Sequence, residues 1–302
     1  MTNPAFAGVD WGTSSFRLWL ISEDGSVLAE RRSGEGMSVA ARTGFSGILS
    51  AHLSAVGAPE TMPVVICGMA GARQGRVEAG YVDVPASFEA ILSGATRIPG
   101  EGRDIRILPG LAQRETTRPD VIRGEETQLL GSLGAESKGM RAVCMPGTHS
   151  KWVHVHDSSI AGFATFMSGE LFDTISKHTI LAHAVTGAEN QPAEPATFDA
   201  AVIAAFERPA LASNLLFAAR AGQLLHGLSA SAAQAMISGT LIGLEIAGAL
   251  QETGTQTQVT LVASGRLCAL YERSFAVVGL SHSSIDADSA VRSGLTSAAK
   301  II

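Results

Sequence analysis

Short apolar and alternating runs at the start of the chain predict three β-strands. The runs cover Phe6–Val9, Phe16–Ile21 and Val27–Arg32, and their lengths suit strands rather than helices. The turn between the first two runs, residues 10–15, contains an acid, a glycine and three hydroxyl groups. This pattern predicts a hairpin with a tight, polar turn.

The residues of this turn can hold phosphate. Gly12 lets the backbone come close to a ligand, and successive N–H groups of such a turn form a nest for an anion. The hydroxyl groups of Thr13 and Ser14 can donate to phosphate oxygens, and Asp10 can hold a divalent ion through water. An ordinary hairpin that begins with an acid fits the same residues, so both interpretations stay open on this stretch alone.

A similar pattern recurs about half a chain later. The apolar run Ala142–Met145 leads into a polar turn, and Lys151–Val155 alternates again. A constant offset aligns Gly12, Thr13 and Ser15 with Gly147, Thr148 and Ser150, and Ser33-Gly34-Glu35 with Ser168-Gly169-Glu170. Internal similarity at this spacing suggests two related halves. Two such hairpins facing each other would grip a polyphosphate from both sides.

Strand-like and helical patterns alternate along the rest of the chain, which is typical of an α/β protein. Further strands are predicted at Val64–Cys67, Ile105–Leu108, Phe163–Phe166, Val259–Val262 and Ala276–Val278. Helices are predicted at Thr43–Val56, from Gly124 or Glu125 to Gly131, over much of 170–228, at Arg266–Phe275 and at Ala287–Lys300, and Ser231–Gln251 is predicted as one or two helices. The polar joint Gly134–Gly139 predicts a boundary between domains 1–139 and 140–302.

Two strands end in small-residue turns of the kind that bind ligands. A glycine-rich turn, residues 68–75, follows Val64–Cys67, and such turns are where open α/β sheets bind ligands. Ser264 and Gly265 follow Val259–Val262 and open a predicted helix, whose N-terminus can accept an adenine or ribose edge. Many α/β turns share this second pattern, so it is weak on its own.

Composition and charge narrow the classes of function. The net charge of the 302 residues is −6, and no Lys/Arg cluster exceeds Arg31-Arg32, which argues against a nucleic-acid partner. No basic and apolar leader is present, and the apolar helix candidate Thr240–Leu250 is too short to span a membrane. Three widely separated cysteines are expected as buried free thiols. We therefore expect a soluble cytoplasmic protein without a membrane partner.

These motifs resemble a known superfamily and, more closely, one family. Strand–DxGT–strand, its half-chain echo and a late strand–SG–helix resemble the nucleotide signature of the actin, hexokinase and heat-shock chaperone superfamily. DWGTSSFRLWL, CGMAGARQG, VIRGEETQLLGSL, MPGTHSKWV and FMSGEL resemble the 2-dehydro-3-deoxygalactonokinase family, in this order along the chain. The chain departs from that family at Arg76 and Gly80, where the family has Trp and Pro.

The resemblance implies a fold and a reaction. The fold would be two RNase-H-like domains, each a mixed five-stranded sheet flanked by helices, with an ATP cleft between them. The reaction would be ATP-dependent phosphorylation of 2-dehydro-3-deoxy-D-galactonate to its 6-phosphate in galactonate catabolism. A kinase for another sugar acid, such as 2-dehydro-3-deoxygluconate, and a polyphosphate-type phosphohydrolase are the alternatives. Apart from this small-molecule partner, monomer and homodimer both stay open.

The resemblance also assigns roles to residues. Asp10 would hold Mg²⁺, directly or through water, and Glu126 would be the general base, with Glu125 as the alternative. The phosphates would be contacted from one side by Gly12, Thr13 and Ser14. From the other side they would be contacted by Gly147, Thr148 and His149. Lys151 or Arg17 would add charge there, and Ser264 and Gly265 would flank the adenosine. The substrate carboxylate would bind Arg73, with Gln74 for hydroxyl groups, or else Arg123.

Overall fold

The computed structural model describes residues 3–133, 139–253 and 258–300. The chain forms two compact units. Unit 1 contains Met1–Gly139, Val155–Gly162 and Asp286–Ile302, and unit 2 contains Met140–His154 and Phe163–Ile285. Each unit is built on a mixed sheet with helices on its faces, as the sequence predicts.

The strands and helices are numbered in chain order. The strands are β1 (Pro4–Trp11), β2 (Phe16–Ser22), β3 (Val27–Ser33), β4 (Val64–Gly68), β5 (Tyr81–Asp83), β6 (Ala86–Ser87), β7 (Thr96–Arg97), β8 (Ile105–Ile107), β9 (Gly110–Gln113), β10 (Asp120–Ile122), β11 (Met140–Met145), β12 (Ser150–His156), β13 (Ser159–Phe166), β14 (Val259–Val262) and β15 (His282–Ile285). The α-helices are α1 (Met37–Thr43), α2 (Phe45–Ala55), α3 (Phe88–Ser93), α4 (Glu125–Leu133), α5 (Ser168–His178), α6 (Ala182–Val185), α7 (Pro195–Glu207), α8 (Ala212–His226), α9 (Ala230–Thr253), α10 (Gly265–Val277) and α11 (Ala287–Ala299). Short 3₁₀ helices lie at Met69–Gly71, Ala188–Asn190 and Pro209–Leu211.

The main sheet of unit 1 has the strand order β3-β2-β1-β4-β8-β7. β1, β2 and β3 are antiparallel neighbours, whereas β4 runs parallel to β1 and β8 runs parallel to β4. Side chains of β1 alternate between two cores, because successive residues of a strand point to opposite faces. Val9 packs in one core with Leu18 and Ile66, and Phe6 packs in the other with Trp19.

The main sheet of unit 2 repeats this arrangement. Its order is β15-β14-β11-β12-β13, and β11, β14 and β15 run parallel. In both units the first strand therefore lies between a hairpin partner and a parallel strand. This common order confirms two related halves and the two-domain, RNase-H-like fold. The predicted number of five strands is wrong for unit 1, whose sheet has six because the short strand β7 adds to its edge. Within unit 1, β6 pairs with the first residues of β13, and a small sheet has the order β10-β9-β5.

Two of the predicted elements differ from the structure, one in type and one in its bounds. Ala276–Val278 is not a strand, because α10 continues through Val277 and the last strand is β15. Tyr271 and Phe275 are buried one turn apart, and this helical spacing extends α10 over the apolar run. Thr43–Val56 is split because Gly44, at φ 98°, separates α1 from α2.

The helix α11 belongs to unit 1 although it follows all of unit 2 in the sequence. Val291 and Leu295 of α11 are buried in the core that also contains Phe6 and Trp19. The compact units thus differ from the predicted division into 1–139 and 140–302 by two later segments, Val155–Gly162 and Asp286–Ile302. Most of the predicted joint, residues 134–138, lies outside the described residues.

The helix α9 is longer than the apolar segment predicted within it. By length and composition its Ala230–Gln251 stretch could span a membrane, but 67% of its most apolar window is buried. Gly239 and Gly243 bring it against α7, where an added Cβ would lie 2.5 Å from the Phe198 carbonyl oxygen and 2.3 Å from that of Val202. The helix therefore forms the core of unit 2.

The cysteines follow the sequence prediction in two cases out of three. All three are free thiols, and Cys67 and Cys144 are buried. Cys268 of α10 is only half-buried and packs against the core of unit 2. The prediction of burial is therefore wrong for Cys268.

Two glycines set the distance between α4 and α11. A Cβ on Gly131 would lie 1.8 Å from the Ala290 carbonyl oxygen, and one on Gly294 would lie 2.0 Å from that of Thr127. We expect Gly131→Ala to lower the free energy of unfolding by about 1–3 kcal/mol, because the backbones must move apart. Urea unfolding measures this change.

Gly47→Ala is the matched control. Gly47 lies in α2 with nothing within 4 Å of a new Cβ. Its replacement should leave stability unchanged or raise it by up to about 1 kcal/mol, since alanine is the better helix former. Equal stability of the two variants would contradict the close helix contact.

Candidate active site

The first candidate phosphate turn connects β1 to β2 in unit 1. The Gly12 N–H donates to the Ser15 carbonyl oxygen at 2.9 Å, which closes the turn. Thr13, Ser14 and Ser15 are exposed. The structure thus confirms the predicted hairpin and leaves its hydroxyl groups open to a ligand.

A glycine before α1 presses against this turn. A Cβ on Gly36 would lie 2.5 Å from the Ser14 carbonyl carbon and from the Ser15 nitrogen. The Met37 N–H donates to the Gly12 carbonyl oxygen at 2.9 Å, and Ser38 N–H donates to that of Thr13 at 3.0 Å. The first turn of α1 is therefore bonded directly to the phosphate turn.

The second candidate turn, in unit 2, is held in the same way. It connects β11 to β12, and a Cβ on Gly169 would lie 2.4 Å from the Gly147 carbonyl oxygen. The Glu170 N–H, in the first turn of α5, donates to the Thr148 carbonyl oxygen at 2.9 Å. Each half therefore places a glycine and a helix start on its hairpin turn.

This comparison corrects one detail of the sequence alignment. The constant offset pairs Gly169 with Gly34, but Gly34 has nothing within 4 Å of an added Cβ. The structural counterpart of Gly169 is Gly36, because the segment between turn and glycine is two residues longer in unit 1. The alignment of the two turns is confirmed, whereas the alignment of the two SGE segments is wrong.

The carboxylate of Asp10 lies at the end of β1 and forms an ion pair with an arginine. Asp10 Oδ2 lies 2.5 Å from Arg17 Nη2, and Arg17 also pairs with Asp288 of α11. Burial raises the pKa of Asp10, and the nearby charge of Arg17 opposes that rise. In this arrangement Arg17 neutralises two carboxylates, so its contact with phosphate stays a prediction.

The surroundings of Asp10 fit a magnesium ion only if it arrives with a ligand. Within the described residues, no group of three or more His, Cys, Asp or Glu side chains could hold a metal ion. Mg²⁺ usually keeps several waters and binds through one or two carboxylates together with substrate phosphates. A single carboxylate beside an exposed phosphate turn meets that requirement.

Two adjacent glutamates begin α4 and differ in environment. Glu126 is 0% exposed, and its Oε2 accepts the Gly124 N–H at 2.5 Å while its Oε1 accepts the Thr127 hydroxyl at 3.0 Å. Burial and the neighbouring Glu125 raise the pKa of Glu126 to about 8. Glu125 is half-buried and accepts the Arg123 N–H at 3.1 Å.

Glycines bring the start of α4 close to the end of β1. A Cβ on Gly124 would lie 3.4 Å from the Gly68 Cα, and one on Gly68 would lie 3.4 Å from Asp10 Oδ1. The thiol of Cys67 has its pKa raised by burial and by the charges of both Asp10 and Glu126. The predicted metal ligand and the favoured base therefore share one region of unit 1.

The candidates for the substrate carboxylate differ in burial. Arg73 and Gln74 are exposed on the glycine-rich turn. Arg123 stacks on Tyr81, with its guanidinium carbon 4.3 Å from the ring centroid, and its Nη2 donates to the Gly80 carbonyl oxygen at 3.2 Å. Nε and Nη1 of Arg123 are buried without a hydrogen-bond partner. Unit 1 therefore offers one solvent-facing and one enclosed guanidinium.

Unit 2 contains a cavity of about 600 Å³ beside the second turn. Gly147 of the turn, Gly169 of α5 and Arg266 of α10 all line it. Ser264 is the residue before α10, and Gly265 follows at φ 59°, directly before Arg266. Gly147 of the second turn and Arg266, which directly follows the late strand–helix junction, therefore line one cavity although the sequence separates them by more than a hundred residues. Ser264 and Gly265 themselves are not among its lining residues.

Sequence reasoning missed most of the walls of this cavity. They come from the helical stretch and from α10, and include Gln191, Glu194, Ser231, Gln234, Ser238 and Tyr271. No motif marks the residues of the helical stretch, because their proximity depends on how α7 and α9 pack. Arg266 could have been found, since it directly follows Ser264 and Gly265.

Comparison with known proteins gives the family. A family model described as 2-keto-3-deoxy-galactonokinase matches residues 10–298. The chain belongs to this family. It is 60% identical over 297 residues to DgoK1 of Rhizobium meliloti (strain 1021), described as a probable 2-dehydro-3-deoxygalactonokinase. This alignment covers 98% of this chain and 97% of that protein. The chain is 33% identical to the 2-dehydro-3-deoxygalactonokinase of Escherichia coli (strain K12), with 98% of both chains covered.

A solved structure supports the same family. A crystal structure described as a 2-dehydro-3-deoxygalactonokinase of Sinorhizobium meliloti superposes with a TM-score of 0.93 at 59% identity, and covers 98% of both chains. Membership of this family confirms the predicted resemblance and makes the chain a kinase. The match spans both units, so it applies to the whole described fold.

The environment of Glu126 predicts how stability depends on pH. Its folded-state pKa of about 8 lies above the ordinary 4.5, so the folded protein binds the proton more tightly than the unfolded chain. Stability should therefore fall as pH rises from about 5 to 9. In Glu126→Gln this fall should be smaller, as measured by urea unfolding across that range.

Glu125→Gln is the control for this titration. Glu125 is its half-buried neighbour, and its replacement removes one charge that raises the pKa of Glu126. The fall in stability should persist in Glu125→Gln, but it should be smaller and end at a lower pH, because the folded-state pKa of Glu126 is lower without the neighbouring charge. An unchanged pH dependence in Glu126→Gln would show that another group titrates.

Proposed function

We propose that the chain phosphorylates 2-dehydro-3-deoxy-D-galactonate with ATP and forms the 6-phosphate, in galactonate catabolism. The observation that carries this proposal is the family match over residues 10–298. The two glycine-backed turns support it, because phosphoryl transfer depends mainly on positioning and on neutralising charge. We place the reaction in the cytoplasm, with a small sugar acid as substrate and no nucleic-acid or membrane partner.

We assign the nucleoside of ATP to the cavity of unit 2. Ser264 and Gly265 would flank it, and Gly147, Thr148 and His149 would contact phosphate oxygens. Thr148 and His149 are exposed, and the His149 ring lies 2.5 Å from Glu170. The Lys151 ammonium donates to the His149 carbonyl oxygen at 2.9 Å, which keeps a positive charge beside this turn.

In unit 1 the exposed turn would bind phosphate oxygens as well. Gly12 offers its backbone, and Thr13 and Ser14 offer hydroxyl donors. Asp10 would hold Mg²⁺ directly or through water, and the ion would neutralise charge on the phosphates when bound. The pairing of Asp10 with Arg17 favours contact through water, since part of the carboxylate charge is already balanced.

We assign the substrate carboxylate to Arg73 or Arg123. Arg73 is exposed, so a ligand can reach it directly from solvent. Arg123 has two buried N–H-bearing atoms without acceptors, and an unpaired buried donor costs about 1–3 kcal/mol. An anion that reached Arg123 would remove this cost, whereas Arg73 offers easier access.

We favour Glu126 as the general base, with Glu125 as the alternative. Proton transfer is most efficient when the pKa of the base lies near the working pH, and burial raises that of Glu126 to about 8. Glu125 is half-buried and therefore more accessible than Glu126. Mutation of each residue tests whether the more accessible Glu125 or Glu126, whose pKa lies nearer the working pH, is the base.

The proposed reaction is tested with a panel of acceptors. With ATP and Mg²⁺, ADP release should be fastest with 2-dehydro-3-deoxy-D-galactonate, slower with 2-dehydro-3-deoxygluconate and negligible without acceptor. An analogue whose carboxylate is replaced by a neutral amide should react at least tenfold more slowly, because the guanidinium loses its partner. Equal ADP release with and without acceptor would indicate a phosphohydrolase.

The base is tested with two variants. Glu126→Gln should lower kcat by about 10²–10⁴-fold, because the hydroxyl proton has no acceptor in the transition state. ADP binding, measured by calorimetry, should stay as in the wild type. Glu125→Gln serves as the matched variant, and a large loss of kcat there with normal turnover of Glu126→Gln would transfer the role to Glu125.

A further inference from the structure

A carboxylate is completely enclosed behind the second turn of unit 2. Glu245 of α9 is 1% exposed. Its Oε1 accepts the indole N–H of Trp152 at 2.9 Å, and its Oε2 accepts the hydroxyl of Tyr271 at 2.8 Å. None of the roles assigned above uses this group.

The partners of Glu245 surround the second turn. The Ser150 hydroxyl, at the end of that turn, lies 3.1 Å from the Tyr271 hydroxyl oxygen. Ser168, which directly precedes Gly169, also hydrogen-bonds Glu245. The carboxylate thus connects the strand that leaves the turn, the start of α5 that presses on it, and the cavity wall formed by α10.

Such a group is costly unless every oxygen is satisfied. Burial raises the pKa of Glu245, and the hydrogen bonds from Ser168, Trp152 and Tyr271 oppose that rise. An apolar residue of similar size would avoid the cost of burying a carboxylate. An apolar residue could not, however, hold three separate backbone segments in place through directional hydrogen bonds.

We propose that Glu245 is a positioning residue for nucleotide binding, which acts through Ser150, Ser168 and Tyr271 on the second phosphate turn. This inference rests on the proposed nucleotide site in unit 2. Glu245 touches no ligand itself. It holds the backbone of Gly147–Ser150 and the start of α5 in the arrangement that receives phosphate oxygens, so its loss should weaken nucleotide binding more than it weakens the fold.

Two conservative variants test the proposal. Tyr271→Phe removes one hydroxyl and keeps the ring, which lies edge-on to Phe275 with centroids 6.1 Å apart. Glu245→Gln keeps the volume but replaces one acceptor oxygen by a donor. We expect both to weaken ADP binding at least fivefold by calorimetry and to raise KM for ATP by a similar factor, while KM for the sugar acid stays within twofold of wild type.

Ser274→Ala is the matched control. Ser274 is also buried on α10, but its hydroxyl donates to the Leu270 carbonyl oxygen of its own helix at 2.7 Å. This variant should bind ADP as the wild type does. A general loss of structure would instead raise both KM values and lower the melting temperature of Tyr271→Phe well below that of Ser274→Ala.

The outcomes separate this inference from the proposed function. If the wild type binds ADP, and both Tyr271→Phe and Glu245→Gln bind it within twofold of Ser274→Ala, the positioning role is refuted and the proposed function stands. If the wild type binds no ADP, the nucleotide site itself is refuted, and the role of Glu245 is refuted with it.

Discussion

The contact between a glycine and a hairpin turn is the constraint on which both candidate phosphate turns depend. In unit 1 it is Gly36 on residues 13–15, and in unit 2 it is Gly169 on Gly147 and Thr148. Any side chain at either glycine would overlap the turn backbone. Because no Cβ intervenes, the N–H groups at the start of each helix bond to carbonyl oxygens of the turn, and the turn is fixed without using its own exposed hydroxyl groups.

Three buried or nearly buried carboxylates lie close to these turns, and each is stabilised differently. Asp10 has a guanidinium, Glu126 has a backbone N–H and a neighbouring hydroxyl, and Glu245 has an indole and two kinds of hydroxyl. Only Asp10 has a formal positive charge beside it. Burial raises the pKa of all three carboxyls, and only at Asp10 does a neighbouring positive charge oppose that rise.

Much of the fold and part of the site could be predicted from the sequence. The hairpins follow from period-two patterns broken by Gly12 and Gly147, and the acids that begin α4 are adjacent in the chain. Such features are local, so the sequence displays them directly. Gly36 was missed because its role depends on a contact with a turn more than twenty residues earlier. The apolar run at 276–278 suits strand and helix equally, and only the packing of Tyr271 and Phe275 decides for helix.

The place of α11 in unit 1 has a consequence for biosynthesis. A ribosome makes β1, β2, β4 and α4 first, but the apolar surface that Val291 and Leu295 cover in the finished protein has no partner until unit 2 has been translated. Domains generally fold as units during synthesis, with the N-terminal one first, whereas unit 1 is complete only after α11 has been made. In the nascent chain, the part of this core that α11 covers, next to Phe6 and Trp19, therefore stays uncovered until Ala287–Ala299 has been made.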